Sequence, residues 1–294
     1  MSIIELPLKP VERVLFQSPL VAIGRFSAGP EHPAFAADPT LLYPHVGFAR
    51  HALIVEKPHC GRVVASPLFV AMHNVGERFV RRALSAHGDQ TDWFAVDPAW
   101  LRALLADVVA TPAEVPDDAL FAAPLQALPA SVLMAQRLLV QRIAKQPRLN
   151  PVLVEECATD ILTALVGGND PPHMRRAGSR QTRKVAIAQA VEEVLARDYA
   201  LDFSLTALCS GIGTSPYHAM RAFRAHTGLS IHQYQFQLRA RHALDDVLAT
   251  TLPLAAIAQR NGFFDQSHFS NAFRKVFGQT PACLRVLGCT ARTH

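Results

Sequence analysis

The stretch IAQRNGFFDQSHFSNAFRKVFGQTPACLR, residues 257–285, decides how this chain is read, because LCSGIGTSPYHAMRAFR at 208–224 repeats its plan. Ile257-Ala258, Gly262-Phe263, Asp265, Phe269 and Phe273 answer to Leu208-Cys209, Ile212-Gly213, Ser215-Pro216, Ala219 and Phe223. The offset is 49 residues at the first pair and 50 at the later ones, so one small architectural unit is used twice. Each copy reads as helix, tight turn, helix.

The local chemistry supports that pattern. Ser215 is placed to cap a helix opened by Pro216, whose fixed φ and missing N–H suit the first helical position. At about 100° per residue, Ala219 and Phe223 share one face, and Tyr217, Met220, Arg221 and Arg224 share the other. In the second copy Asp265 is the cap and Phe269, Phe273 and Val276 turn inward. Ser267, Ser270, Asn271 and Arg274 lie on the far face, with Gln266 at its edge. Phe263, Phe269, Phe273 and Phe277 read as core, and His218 and His268 either meet phosphate or simply complete a helical turn. Between the copies, Ser230 caps a long helix to about Leu248 with Ile231, Tyr234, Leu238, Leu244 and Val247 as apolar positions. A helix of that length sets two headpieces far enough apart to enter one face of a duplex at successive turns, roughly 34 Å apart.

This constellation resembles the AraC/XylS family of bacterial transcription regulators over about residues 185–285. It rests on Ile257-Ala258, Gly262-Phe263, Asp265, Phe269, Phe273, Phe277-Gly278, Thr280-Pro281 and Arg285, and on Ser215-Pro216, Arg221, Phe223, Gly228, Arg239 and Ala243. The resemblance implies base-edge reading by Tyr217, Met220 and Arg221 in the first headpiece and by Gln266, Ser267, Ser270 and Asn271 in the second, with Arg224 and Arg274 beside them on the DNA-facing side. Three positions depart from the family pattern: Cys209 replaces alanine, Ala219 a larger aliphatic, and Asn271 a frequent arginine.

Charge agrees in direction. Residues 1–170 hold 14 Lys and Arg against 17 Asp and Glu, 171–184 hold five against none, and 185–294 hold ten against seven. The acidic front is a poor match for a polyanion, and the modest excess in the rear means that positioned contacts rather than a broad field carry DNA binding. Five scattered cysteines argue against a disulfide framework, no apolar run approaches a membrane span, and neither a signal peptide nor a membrane partner is expected, so the cytoplasm is the expected location.

The front of the chain is strand-like. Residues 11–16, 20–26, 51–56, 62–64 and 68–72 are short runs rich in Val, Ile, Leu and Phe, extended by 76–82 and 93–96 and divided by Pro, Gly and Asn. The spacing suits an antiparallel barrel or sandwich. More loosely, Phe69, Met72-His73-Asn74, Gly76-Glu77, Phe79, Gly88-Asp89 and Trp93-Phe94-Ala95 resemble the cupin-like sensor domain of many such regulators. The expectation is therefore a two-domain α+β chain: a cupin-like antiparallel β-barrel with accessory helices at 1–166, which senses and dimerises, a linker at 167–184, and an all-α DNA-binding domain with two helix-turn-helix units at 185–294.

His73, Arg81, Arg82 and Asp89 are the candidate effector anchors, with Arg81-Arg82 also read as a solvated edge and His73 as a satisfied barrel histidine. Six histidines lie at 32, 45, 51, 59, 73 and 87, but no two are two apart, so the metal set of a cupin enzyme is not formed. His59-Cys60 reads as an ordinary turn or a metal or oxidant sensor. Helices are expected at 99–109, 130–145, 151–166 and 185–196. The 130–145 stripe, with Val132, Leu133, Gln136, Leu139, Val140 and Ile143, either makes a two-fold contact or packs on its own domain. Neither catalytic residues nor a cofactor are expected. The partners implied are double-stranded DNA, a small-molecule effector, a second copy of the chain and, for an activator, RNA polymerase. A metal-dependent cupin enzyme fused to a DNA-binding tail and a non-specific architectural DNA-binding protein are the alternatives; a DNA-repair methyltransferase fits poorly, with Cys60 the only cysteine before Cys157.

Overall fold

A computed structural model describes residues 3–4, 11–33, 41–58, 61–109, 115–146, 148–167 and 183–290. The His59-Cys60 turn, most of the connector and part of the break after residue 109 lie outside the described residues. Two compact units divide the chain at Asp170 and Pro171.

Among the described residues the front unit holds nine strands: β1 (Glu12–Gln17), β2 (Val21–Ala28), β3 (His45–Ala49), β4 (Leu53–Lys57), β5 (Gly61–Ala65), β6 (Phe69–His73), β7 (Val80–Ala83), β8 (Asp89–Val96) and β9 (Leu125–Ala127). They form a six-stranded sheet in the order β1-β2-β8-β3-β6-β9 and a three-stranded sheet in the order β5-β4-β7. Among the described residues neither sheet closes, so the expected cupin-like β-barrel is incorrect. Apolar composition marks a segment as extended but does not choose its partner. Here β4 takes both β5 and β7, leaving their outer edges unpaired with the larger sheet. The strands β3 and β9, too short and too rich in Gly, Ala and Gln to stand out in the sequence, become the interior and the edge of the large sheet.

Alternation along β8 gives the large sheet two different faces. Trp93 sits in register between Gly24 and Gly47, and a Cβ on Gly24 would come 2.1 Å from its indole, so the ring lies over that glycine. On the opposite face, fully buried Asp92 accepts from Arg25 Nε at 2.7 Å, Arg50 Nη2 at 2.6 Å and Gln136 Nε2 at 3.3 Å, with Arg137 Nη1 at 3.4 Å. Burial alone would raise the Asp92 pKa, but the arginines at 50, 137 and 25 outweigh it and hold it down to about 2. Gln136 and Arg137 belong to α2 (Ala130–Lys145), which this carboxylate thereby fastens to the sheet, while α1 (Pro98–Val109) and α3 (Pro151–Val166) complete the helical side. The α2 stripe, Val132 through Ile143, is buried inside its own unit, with Val132 and Leu139 at the floor of a groove shared with α3.

The rear unit is helical: α4 (Arg183–Arg197), α5 (Leu205–Ile212), α6 (Pro216–Thr227), α7 (Ile231–Ala249), α8 (Leu254–Arg260), α9 (Gln266–Phe277) and α10 (Pro281–Thr290). Ser230 and Gln233 form a reciprocal capping box at the start of α7. From Ala240 to Leu244 every α7 residue is buried, as expected of a helix surrounded by others.

The segment 199–202 joins the two headpieces. Arg239 of α7 donates to the carbonyls of Tyr199 at 2.9 Å and Leu201 at 2.8 Å and meets Asp202 at 2.8 Å, while Tyr199 stacks on His242 at 3.8 Å. From the other side comes Gly262, in the left-handed region at φ +77, where a Cβ would stand 2.2 Å from the Ala200 carbonyl oxygen. Deeper in, the Tyr234 hydroxyl donates to Glu192 of α4 at 2.8 Å. Burial pushes the Glu192 pKa up from 4.5 to about 7, with the tyrosine opposing.

Three outcomes are expected. Asp92→Asn leaves buried arginines uncompensated and destabilises the front unit by about 3–5 kcal/mol, read by urea unfolding through Trp93 and Trp100, both of which lie there. Gly262→Ala combines a forbidden φ with a backbone collision and speeds amide exchange in α7 and α8 by more than tenfold, about 1.4 kcal/mol or more. Folded Glu192 keeps its proton to a higher pH than the unfolded chain, so stability is lost as pH rises from 4.5 to about 7. Glu192→Gln flattens that slope and gains roughly 3 kcal/mol at pH 8, seen as slower exchange in α4.

Candidate nucleic-acid interface

In the first headpiece, Gly213 ends α5 in the left-handed region at φ 69, and the Ser215 hydroxyl accepts from the His218 N–H at 3.3 Å. Those two features turn the chain and start α6 with one of its free backbone donors satisfied. Ala219, Ala222, Phe223 and Thr227 are buried, and Phe223 meets Tyr234 edge-on at 5.2 Å. The opposite face is open: Tyr217 is 59% exposed and Met220 46%, with Arg221 and Arg224 exposed alongside. Arg221 Nη1 donates to the Tyr217 hydroxyl at 2.9 Å with its guanidinium 5.5 Å above that ring. The pair presents one planar donor group stiffened by an aromatic neighbour, suited to the two acceptors on the major-groove edge of guanine.

The second headpiece repeats the arrangement. Asp265 accepts from the His268 N–H at 2.7 Å, starting α9. A chain of rings runs beneath it, Phe263 to Phe269 at 5.3 Å, Phe269 to Phe273 at 5.5 Å and Phe273 to Phe277 at 4.6 Å. Outside are Gln266, Ser267, Asn271 and Arg274, all exposed, and Ser270, half-buried. Val276, expected to turn inward, is only half-buried, and Ala272 takes the inner position instead. Amide, hydroxyl and guanidinium groups on one exposed face can address base edges and phosphates together. Two further exposed residues flank this run in the chain. Phe264, 93% exposed in the turn before α9, is the most exposed large apolar side chain described, and the Lys275 ammonium stands 5.7 Å above the Phe236 ring. Periodicity did not single out either, because Phe264 belongs to a turn and Lys275 follows the arginine already taken for that face.

The residues expected to anchor an effector separate. His73 and Arg81 line one cavity of about 80 Å³ between the two sheets. Asp89 stands behind Arg81, bonded to its Nη1 at 3.0 Å and to the Thr91 hydroxyl at 2.6 Å. Strand alternation sends Arg82 to the outer face, where it pairs with Glu56 at 3.0 Å. His45, Gly47, Thr91 and Trp93 join the wall; the period-two spacing of His45 with Gly47, and of Thr91 with Trp93, was the available signal. Burial lowers the His45 pKa to about 4 despite its bond to the Tyr43 carbonyl, and burial with Lys57, His45 and Arg81 nearby puts His73 well below its ordinary value. Both imidazoles are neutral at pH 7. Among the described residues no three His, Cys, Asp or Glu side chains are placed to hold a metal ion, and no helix is long and apolar enough to cross a membrane.

Comparison with known proteins points to the same part of the chain. Residues 208–286 match the family described as a helix-turn-helix domain. The HTH-type transcriptional regulator GlxA of Rhizobium meliloti is 34% identical over 110 residues, covering 37% of this chain and 33% of that protein. The HTH-type transcriptional activator RhaR of Salmonella schwarzengrund is 34% identical over 111 residues, covering 38% of each. The chain thus spans about a third of the length of these curated relatives. Among solved structures, the C-terminal domain of AraT, a response regulator from Geobacillus stearothermophilus, is 27% identical and covers 37% of this chain and 88% of its own, with a TM-score of 0.33. Residues 208–286 of the rear unit thus match a helix-turn-helix domain, and the relatives similar to them are transcriptional regulators.

Proposed function

We propose that this chain is a sequence-specific DNA-binding transcription regulator whose front unit holds a small-molecule effector and associates with a second copy of the chain. The observation that carries the reading is the doubled headpiece. Two capped helices, α6 and α9, each bury an aromatic side and expose a hydrogen-bonding side, and both rest on α7. At about 1.5 Å per residue, α7 is about 28 Å long, close to one turn of B-form DNA at roughly 34 Å. The names of GlxA and RhaR, as regulator and activator, support the same reading.

In this mechanism Arg224, Arg274 and the helix N-termini fix register on the phosphates. Tyr217, Met220, Arg221, Gln266, Ser267, Ser270 and Asn271 select bases. An effector acts by binding one arrangement of the protein more tightly than another, and only that difference in affinity is transmitted. An activator of this kind also meets RNA polymerase. With the α2 stripe internal, a second copy would meet the groove between α2 and α3, where Leu138, Leu153 and Cys157 remain partly open.

The test begins with selection of a preferred duplex from a random pool by the full chain. Arg221→Ala and Asn271→Ala are each expected to weaken that site about 10- to 100-fold while leaving binding to scrambled DNA and helical content unchanged. Equal affinity of the unmutated protein for selected and scrambled duplexes contradicts the proposal.

A further inference from the structure

The cavity between the two sheets has a composition that narrows what it can hold. Small residues open it: Gly47, Ala49, Ala65 and Ala71 occupy wall positions where packed sheets ordinarily interleave larger side chains. Around them, Phe26, Leu53, Val55 and Phe79 make the enclosure apolar. Three residues of this wall each carry a buried polar atom without a hydrogen-bond partner: Trp93 Nε1, Arg81 Nε and His73 Nδ1. Trp93 Nε1 and Arg81 Nε are obligatory N–H donors. A buried donor left without an acceptor is unfavourable, so two on one small cavity favour an occupant that accepts hydrogen bonds.

The charge of the wall decides between a neutral and an anionic acceptor. Arg81 is already matched by Asp89 at 3.0 Å and pinned 3.6 Å above the Phe26 ring. Glu12 adds a second carboxylate to the surroundings, and Lys57 is matched by Glu77 at 2.9 Å. Among the described residues of this wall no positive charge is left over for a carboxylate ligand, which would also be desolvated on entry.

We propose that this cavity binds a small uncharged molecule with an apolar body and a carbonyl-type oxygen, received by the Trp93 indole N–H and the Arg81 Nε–H. The proposal rests on the effector reading above and gives its ligand a chemical class. A cavity of about 80 Å³ is smaller than the roughly 150 Å³ that admits benzene, so the buried part of the ligand is only a few heavy atoms.

The probes are 2-butanone, propionate and 2-methylbutane, which have equal heavy-atom counts and differ in acceptor and charge. Each is titrated into the full chain while the Trp93 indole N–H resonance is followed by NMR. Butanone is expected to shift that resonance saturably, with affinity at least about tenfold above either of the others. In Gly47→Ala, whose new methyl group would meet Thr91 and Ala71 at ordinary contact distances of 3.5 and 3.6 Å, the butanone response is expected to weaken by a similar factor. Propionate binding as tightly as butanone overturns the proposal, as does an indole resonance that no probe moves, which leaves ordered water as the occupant. A response unchanged in Gly47→Ala overturns it too, by placing the ligand elsewhere. Selection of a DNA site uses the same protein without any probe, so failure here and failure of the DNA reading are separately visible.

Discussion

The rear unit depends on a clamp around residues 199–202. Arg239 gathers the carbonyls of Tyr199 and Leu201 from one side, and the missing side chain of Gly262 admits the Ala200 carbonyl from the other. Neither headpiece, a pair of helices of 7 to 12 residues, buries enough surface to hold its position alone. The clamp ties the connection between α4 and α5 to the turn after α8, so both headpieces are referred to the same α7. Asn261 adds a second tie, donating to Asp246 of α7 at 2.9 Å. Two exposed helices in a fixed relation suit the DNA reading proposed above, because the spacing of successive turns of a duplex is itself fixed.

Within that frame, aromatic packing determines which side chains are left to work. Phe223 under α6 and the run from Phe263 to Phe277 under α9 consume one side of each helix and hold the other outward. The outward groups are mainly amides, hydroxyls and arginines rather than a dense cationic surface. That agrees with the small positive excess over residues 185–294, ten Lys and Arg against seven Asp and Glu. Specific contacts, each restrained by a packed backbone, can discriminate bases where a diffuse field would bind all DNA alike. The front unit follows another logic, with one face of its large sheet fastened to helices through Asp92 and the other, around Trp93, left incompletely filled.

Much of the rear unit was legible in the sequence because its signals are local. Ser215, Ser230 and Asp265 are caps, Gly228 and Gly278 end α6 and α9, and the inward positions follow a 3.6-residue period. Even so, the polar interior of α4 and α7 was not foreseen: Glu192, Arg241 and His242 are buried by partners distant in sequence. Strand segments in the front were recognised from composition, but barrel closure was the wrong inference, because closure depends on which edges meet and composition carries no such information. The residues expected to anchor an effector divided for the same reason. Arg81 and Arg82 are neighbours in the chain and opposites in the sheet, one over Phe26 and the other paired with Glu56 in solvent. Trp93 and His45 join the cavity only because β8 and β3 lie side by side, a pairing settled by the fold.

Hydroxyl-radical footprinting of the full chain on its preferred duplex tests the central claim most directly, that α6 and α9 enter successive major grooves from one side. Two protected segments per chain, about one helical turn or roughly ten base pairs apart on the same face, are the expected result. A single protected segment, or two on opposite faces of the duplex, would contradict it.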